Sequence, residues 1–197
     1  MNPGVVAWSG PSLLDGAPIV CVATRGSRNR KTGSMVQFWI LRDDMAPIAA
    51  VRSGADRSVC GSCKLRGSKP RGRGRGCYVT IARAPTSVYH AYKRGTYRAV
   101  PRARLAHEFA GEILRIGAYG DPAAVPRWVW ERATVRAASW TGYTHQWAEG
   151  FALAEFVMAS VESPAERDSA RAMGYRTFEI TRPGAPRPPR KIGRAHV

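Results

Sequence analysis

No apolar run in this chain of 197 residues approaches the roughly 20 residues that a membrane-spanning helix requires. The first residues, Met1 to Pro18, hold no basic start followed by an apolar stretch. No secretion signal is therefore read, no membrane partner is expected, and the cytoplasm is the expected compartment. Cysteine is scarce. Four in a chain of this size do not make a disulfide scaffold, so without a signal the expectation is metal binding or free thiols. Acid is scarce too: 14 Asp and Glu stand against 31 Lys and Arg, a net charge of +17 and a pI near 10.8. A field of that sign attracts polyanions, and nucleic acid, DNA first, is the expected partner. An Arg- and Ala-rich composition also follows from a GC-rich genome, so charge by itself names no partner.

What is present is globular. Hydrophobic residues make up 44%, with six Trp, seven Tyr and five Phe, enough for one domain with a substantial core. Short β-branched and aromatic runs recur at Ile19–Ala23, Met35–Leu41, Tyr78–Ala82, Leu114–Tyr119, Ala138–Thr144, Phe156–Val161 and Tyr175–Thr181. Several are nearly continuous, as strands buried on both faces are. Helical segments lie between them: Val88–Arg94 closed by Gly95, residues 102–111, and 127–135 opened by Pro126. The clearest begins at Ser163-Pro164-Ala165-Glu166, which combines an N-cap Ser, Pro at the first helical position and Glu three residues after the cap. Strand, helix, strand at about 20-residue spacing predicts a parallel sheet. The expected fold is an α/β domain over residues 1–182: an incomplete (β/α)8-barrel-like parallel sheet with a basic, cysteine-containing N-terminal extension. An open doubly wound sheet is the alternative, although no glycine fingerprint follows the first strand.

The end of the chain reads as incomplete. Residues 183–197 are rich in Pro and Arg, and Ile192-Gly193-Arg194-Ala195-His196-Val197 reads as adapter sequence carried into the reading frame. A natural solvated basic tail is the other reading.

Cys60-Gly61-Ser62-Cys63 with Cys77 after thirteen intervening residues suits thiolate ligation. A CxxC grips one ion from a tight turn, and a third thiolate adds to it. The expected group is structural zinc or an iron–sulfur cluster, with Cys21, a His or a cysteine beyond this chain as a further ligand. The basic, glycine-rich segments 24–34 and 64–76 supply phosphate contacts, with Lys31 in the first and Arg71, Arg73 and Arg75 in the second. The segment 64–76 holds six cations and no acid.

Three candidate groups sit at predicted strand ends. Asp121, in Gly117-Ala118-Tyr119-Gly120-Asp121-Pro122, suits a nucleophile or general base; equally, Asp before Pro caps a turn. His145 follows the next strand in a segment whose Trp140, Tyr143 and Trp147 can stack on a base. Glu162 joins the same rim. Cys77, read as the start of a strand, would place a metal at the end opposite Asp121.

Several strings resemble the gene product 88 family of mycobacteriophages and relatives. They are Arg28-Asn29-Arg30-Lys31-Thr32-Gly33-Ser34-Met35-Val36-Gln37, Gly54-Ala55-Asp56-Arg57-Ser58-Val59-Cys60-Gly61-Ser62-Cys63, Cys77-Tyr78-Val79, the Gly117–Pro122 string, Trp140-Thr141-Gly142-Tyr143-Thr144-His145 and Arg176-Thr177-Phe178. The resemblance covers about residues 24–182. It implies a phage protein with a second cysteine-rich segment beyond Pro189, and implies no established activity. At the level of architecture the chain is also similar to tRNA-guanine transglycosylase barrels, whose phage derivatives insert 7-deazaguanines into DNA. That similarity implies a base-exchanging enzyme with Asp121 as nucleophile or base, His145 its partner and the cysteines a structural zinc site. Two other classes stand beside it: a non-catalytic factor that binds nucleic acid or a host protein through its basic loops and metal knuckle, and an iron–sulfur redox protein.

Overall fold

A computed structural model describes residues 4–26, 33–66 and 76–180. Eight strands form one sheet in the order β4-β1-β2-β3-β5-β6-β7-β8. They are β1 (Gly4–Pro11), β2 (Pro18–Thr24), β3 (Val36–Arg42), β4 (Arg98–Ala99), β5 (Ile113–Tyr119), β6 (Ser139–Thr144), β7 (Met158–Val161) and β8 (Thr177–Glu179). The helices are α1 (Pro47–Ser53), α2 (Arg57–Cys60), α3 (Ala84–Lys93), α4 (Leu105–Glu108), α5 (Arg127–Thr134) and α6 (Pro164–Ala172). Strands β3, β5, β6, β7 and β8 pair in parallel in that order. The first three strands form an antiparallel meander.

The fold is α/β, as the strand–helix alternation predicts, but the sheet is open. β4 and β8 are its two edges and do not pair, so the barrel expectation is corrected. The N-terminal third is likewise no extension: β1, β2 and β3 are built into the sheet, and Cys21 lies in the middle of β2. Tyr78–Ala82 is not a strand. Its apolar residues Val79 and Ile81 pack from a loop against the core, which accounts for the β-like pattern without any ladder. Among the described residues no helix is long and apolar enough to cross a membrane.

Local chemistry explains the elements that position the site. β3 is buried almost throughout because it lies between β2 and β5 with side chains packed on both faces. α6 starts where the capping pattern places it. Ser163 Oγ accepts from the Glu166 N–H at 3.2 Å, and Glu166 Oε2 accepts from the Glu162 N–H at 2.6 Å. The core is anchored where Phe38 of β3 meets Phe109 and Trp130, with ring centroids 5.1 and 5.5 Å apart. Trp130 is wholly buried, and its indole N–H donates to the Pro122 carbonyl at 3.0 Å. This single side chain therefore ties α5 to the turn that follows β5. Trp130→Ala is expected to cost about 3–5 kcal/mol, from lost burial, an empty cavity and the lost indole hydrogen bond to a carbonyl that keeps only the Val125 N–H. Urea denaturation measures it, and a loss below about 1 kcal/mol would contradict the anchor.

Candidate functional site

The site lies where β5, β6 and β7 end. β5 stops at Tyr119, and Gly120 takes φ +81° with Ile40 directly against its Cα, so a side chain there would strain the backbone and clash. The chain then places Asp121 inside the protein, 5% exposed. Its Oδ1 accepts from the Ala123 N–H at 3.0 Å and the Thr144 hydroxyl at 2.7 Å, and its Oδ2 accepts from the His145 N–H at 2.7 Å. The carboxylate caps the 3-10 turn Pro122–Ala124 and ties the end of β6 to the end of β5. The Asp121 N–H in turn donates to the carbonyl of Val59 in α2.

That last bond brings the cysteines to the same rim. α2 ends at Cys60, and Gly61 turns with φ +57° against the side chain of Gln146. Gln146, two residues beyond β6, is 2% exposed. Its Oε1 accepts from the Ser62 N–H and hydroxyl at 3.1 and 2.9 Å, and its Nε2 donates to the Cys60 carbonyl at 3.2 Å. The Cys60–Cys63 turn is thus latched onto the end of β6. Cys63 senses the charge of both Asp121 and Cys77, so the cysteines and Asp121 share one end of the sheet. The expectation that placed them at opposite ends depended on a strand at Cys77 and is corrected. Beyond Cys63 the basic segment begins, and its two ends are joined. The Leu65 carbonyl accepts from the N–H groups of Gly76 at 3.0 Å and Cys77 at 2.9 Å.

Cys60, Cys63 and Cys77 are half-buried thiols. Burial pushes the Cys63 thiol up to about 11, against backbone N–H bonds from Leu65 and Arg66 that favour its thiolate. Among the described residues no three His, Cys, Asp or Glu side chains converge closely enough to hold a metal ion. Cys21 is wholly buried within β2, and burial holds its thiol far above the ordinary range. It belongs to the core and is corrected as a candidate ligand.

His145 and Glu162 reach the rim with Asp121. Burial lowers the His145 pKa, while Asp121, Glu162 and Glu166 pull it upward. Glu162 is exposed and lies 3.8 Å from Lys64, whose ammonium also meets Glu166 at 3.0 Å. The two aromatics proposed to stack separate. Trp140 is in register with Leu114 and packs against the core, whereas Tyr143, three residues on, faces the opposite side of the sheet. Trp147 donates its indole N–H to the Ser160 carbonyl at 3.0 Å and also packs against the core. Lys31, Arg71, Arg73, Arg75 and the Pro/Arg-rich end with His196 lie outside the described residues. The residues missed in the sequence are Gln146 and Thr144. A Thr-x-Gln that begins on the last residue of β6 is their sequence mark.

Compared with known protein families, curated proteins and solved structures, the chain matches none.

Burial raises the Asp121 pKa above the ordinary carboxylate value, and its three donors and His145 offset this only in part. A carboxyl raised in the native state gives stability that is fully present below the unfolded pKa and is lost as pH rises through the native one. Asp121→Asn removes that dependence, and it also sets an amide N–H₂ against a donor. The variant is expected to be less stable by about 2–3 kcal/mol near pH 4, with the deficit narrowing toward pH 8. Denaturant titrations of both proteins across that range test this. A deficit that widens with pH would contradict it.

Proposed function

We propose that the chain is a non-catalytic nucleic-acid-binding factor that presents a basic loop from a cysteine-bounded base. The observation that carries this reading is the closure of the 64–76 segment. Its ends meet at the Leu65 carbonyl, a cysteine stands at each side, and the segment between holds six cations and no acid. Fixing the base of a cationic loop lowers the ordering cost of laying it along phosphates, and each phosphate it neutralises releases counterions.

The thiolates of Cys60, Cys63 and Cys77 belong to the same proposal as ligands of a structural zinc ion, which would have to draw them closer together than they stand in the described structure. Burial holds Cys63 as a thiol and the amides of Leu65 and Arg66 oppose it only in part, so the proposal requires the ion itself to displace the proton, with the Gln146 latch holding the CxxC turn from outside. Bound zinc would lock the base of the loop. The resemblance to the gene product 88 family extends the proposal to a phage factor acting on DNA in the host cytoplasm. Base exchange would require Asp121 to reach a sugar carbon. A carboxylate 5% exposed, with both oxygens taken up by donors, supports a strut between strand ends, so catalysis is left out of this reading.

Fluorescence anisotropy with labelled DNA over a range of salt concentrations tests the proposal. Replacing Arg71, Arg73 and Arg75 together by Gln is expected to lower the log–log salt slope by about 2–3 and to weaken binding at least tenfold at low salt. Elemental analysis should find one zinc per chain, lost in Cys60→Ser/Cys63→Ser. An unchanged salt slope would overturn the loop's role. Iron with visible absorbance, or no metal at all, would overturn the zinc.

A further inference from the structure

The two faces of the parallel half-sheet differ. Register puts Leu114, Ile116, Trp140, Gly142, Thr144, Ala159 and Val161 on one side, and apart from Trp140 these are buried. The opposite face carries Arg115 paired with Thr141, Tyr143 paired with Met158, and Ser160 paired with Phe178. Arg115, Thr141, Tyr143 and Met158 are half-exposed and Phe178 is 46% exposed. An α/β sheet normally covers both faces, so this half-open face calls for an occupant.

Its chemistry narrows the choice. The rings of Tyr143 and Phe178 meet at 4.7 Å, tilted by 55°, reaching toward each other over β7, where Ser160 is small. Arg115 donates to Gln37 Oε1 at 3.2 Å and to the Tyr78 hydroxyl at 2.9 Å. Both partners are neutral, and among the described residues no carboxylate pairs with this guanidinium. Tyr78 is 72% exposed and directly follows Cys77, so the end of the basic segment leads onto this face. An exposed ring and a half-exposed ring beside an unneutralised cation suit a polyanion with flat apolar units. A second copy of a chain carrying +17 is repelled.

We infer that this face is a base-stacking platform for single-stranded nucleic acid, with Tyr143 and Phe178 as stacking rings and Arg115 and Tyr78 at the margin beside the basic segment. The inference rests on the nucleic-acid reading above and adds strandedness to it. In a duplex the base faces are hidden by their neighbours, whereas an unpaired strand offers them to a flat surface. The 64–76 segment would hold phosphates of either form.

The test measures anisotropy of labelled oligo-dT, oligo-rU and a duplex of equal length on the full chain. The wild type should prefer the single strands, and the dT to rU ratio identifies which nucleic acid is favoured. Tyr143→Ala/Phe178→Ala should weaken single-strand binding roughly ten- to hundredfold and change duplex binding less than twofold. Tyr143→Phe should keep wild-type affinity, and so should Val135→Ala, an exposed apolar position (65%) outside this face. Should the double variant fail to fold, Phe178→Trp provides a second readout, an added indole emission quenched on binding oligo-dT. Equal loss on duplex and single strand, unquenched emission, or a double variant that changes only the oligomeric mass would overturn the platform. The loss caused by the Arg71, Arg73 and Arg75 replacements would then still uphold the nucleic-acid reading. If the wild type binds none of the three oligonucleotides, that reading fails first and the platform with it.

Discussion

A carboxylate buried at the end of a strand must find donors, and Asp121 finds them on the turn after it and on the end of the neighbouring strand. The Ala123 amide, the Thr144 hydroxyl and the His145 amide converge on its two oxygens, while its own N–H reaches α2. An unpaired buried charge is costly, so these partners are required together and the three segments are held in one arrangement. Gln146 extends the arrangement to the CxxC turn, and the Leu65 carbonyl extends it to the base of the basic segment.

The parts of the molecule therefore depend on one another in sequence. The sheet sets the strand ends, the strand ends hold the cysteine turn, and the cysteine turn sets where the cations begin. Asp121, a group that would suit catalysis in an open cleft, is buried here with hydrogen bonds on both oxygens and acts as a strut. The proposed binding surfaces lie elsewhere: the basic segment beyond Cys63 and the half-open sheet face beside Tyr78. Both are cationic or aromatic, in keeping with the net charge of +17.

Much of the α/β character was legible in the residues. Val36–Leu41 and Leu114–Tyr119 are near-continuous apolar runs, and the Ser163–Glu166 capping pattern started α6 where the structure starts it. The alternatives at Asp121 were also legible, since Asp before Pro caps turns, and the structure adds the burial that sequence lacks. Barrel closure was not legible, because it depends on whether the two edge strands meet. β1 is not legible in the sequence because a bulge between Val6 and Trp8 breaks its alternation, although Asp15-Gly16 marks the hairpin that joins it to β2. Tyr78–Ala82 misled because packing of Val79 and Ile81 needs apolar residues whether or not a ladder forms. Tyr143 and Trp140 looked like one aromatic patch in the sequence, but three residues along a strand put them on opposite faces.

The central claim is that Asp121 and Gln146 hold the end of β6 and the cysteine turn as one rigid unit. Native-state hydrogen exchange at two amides tests it most directly: His145, which donates to Asp121, and Ser62, which donates to Gln146. The account predicts that both exchange as slowly as the amides of β5 and β6, since they open only with the sheet. Exchange at the rate of an exposed turn, with the strands still protected, would contradict it.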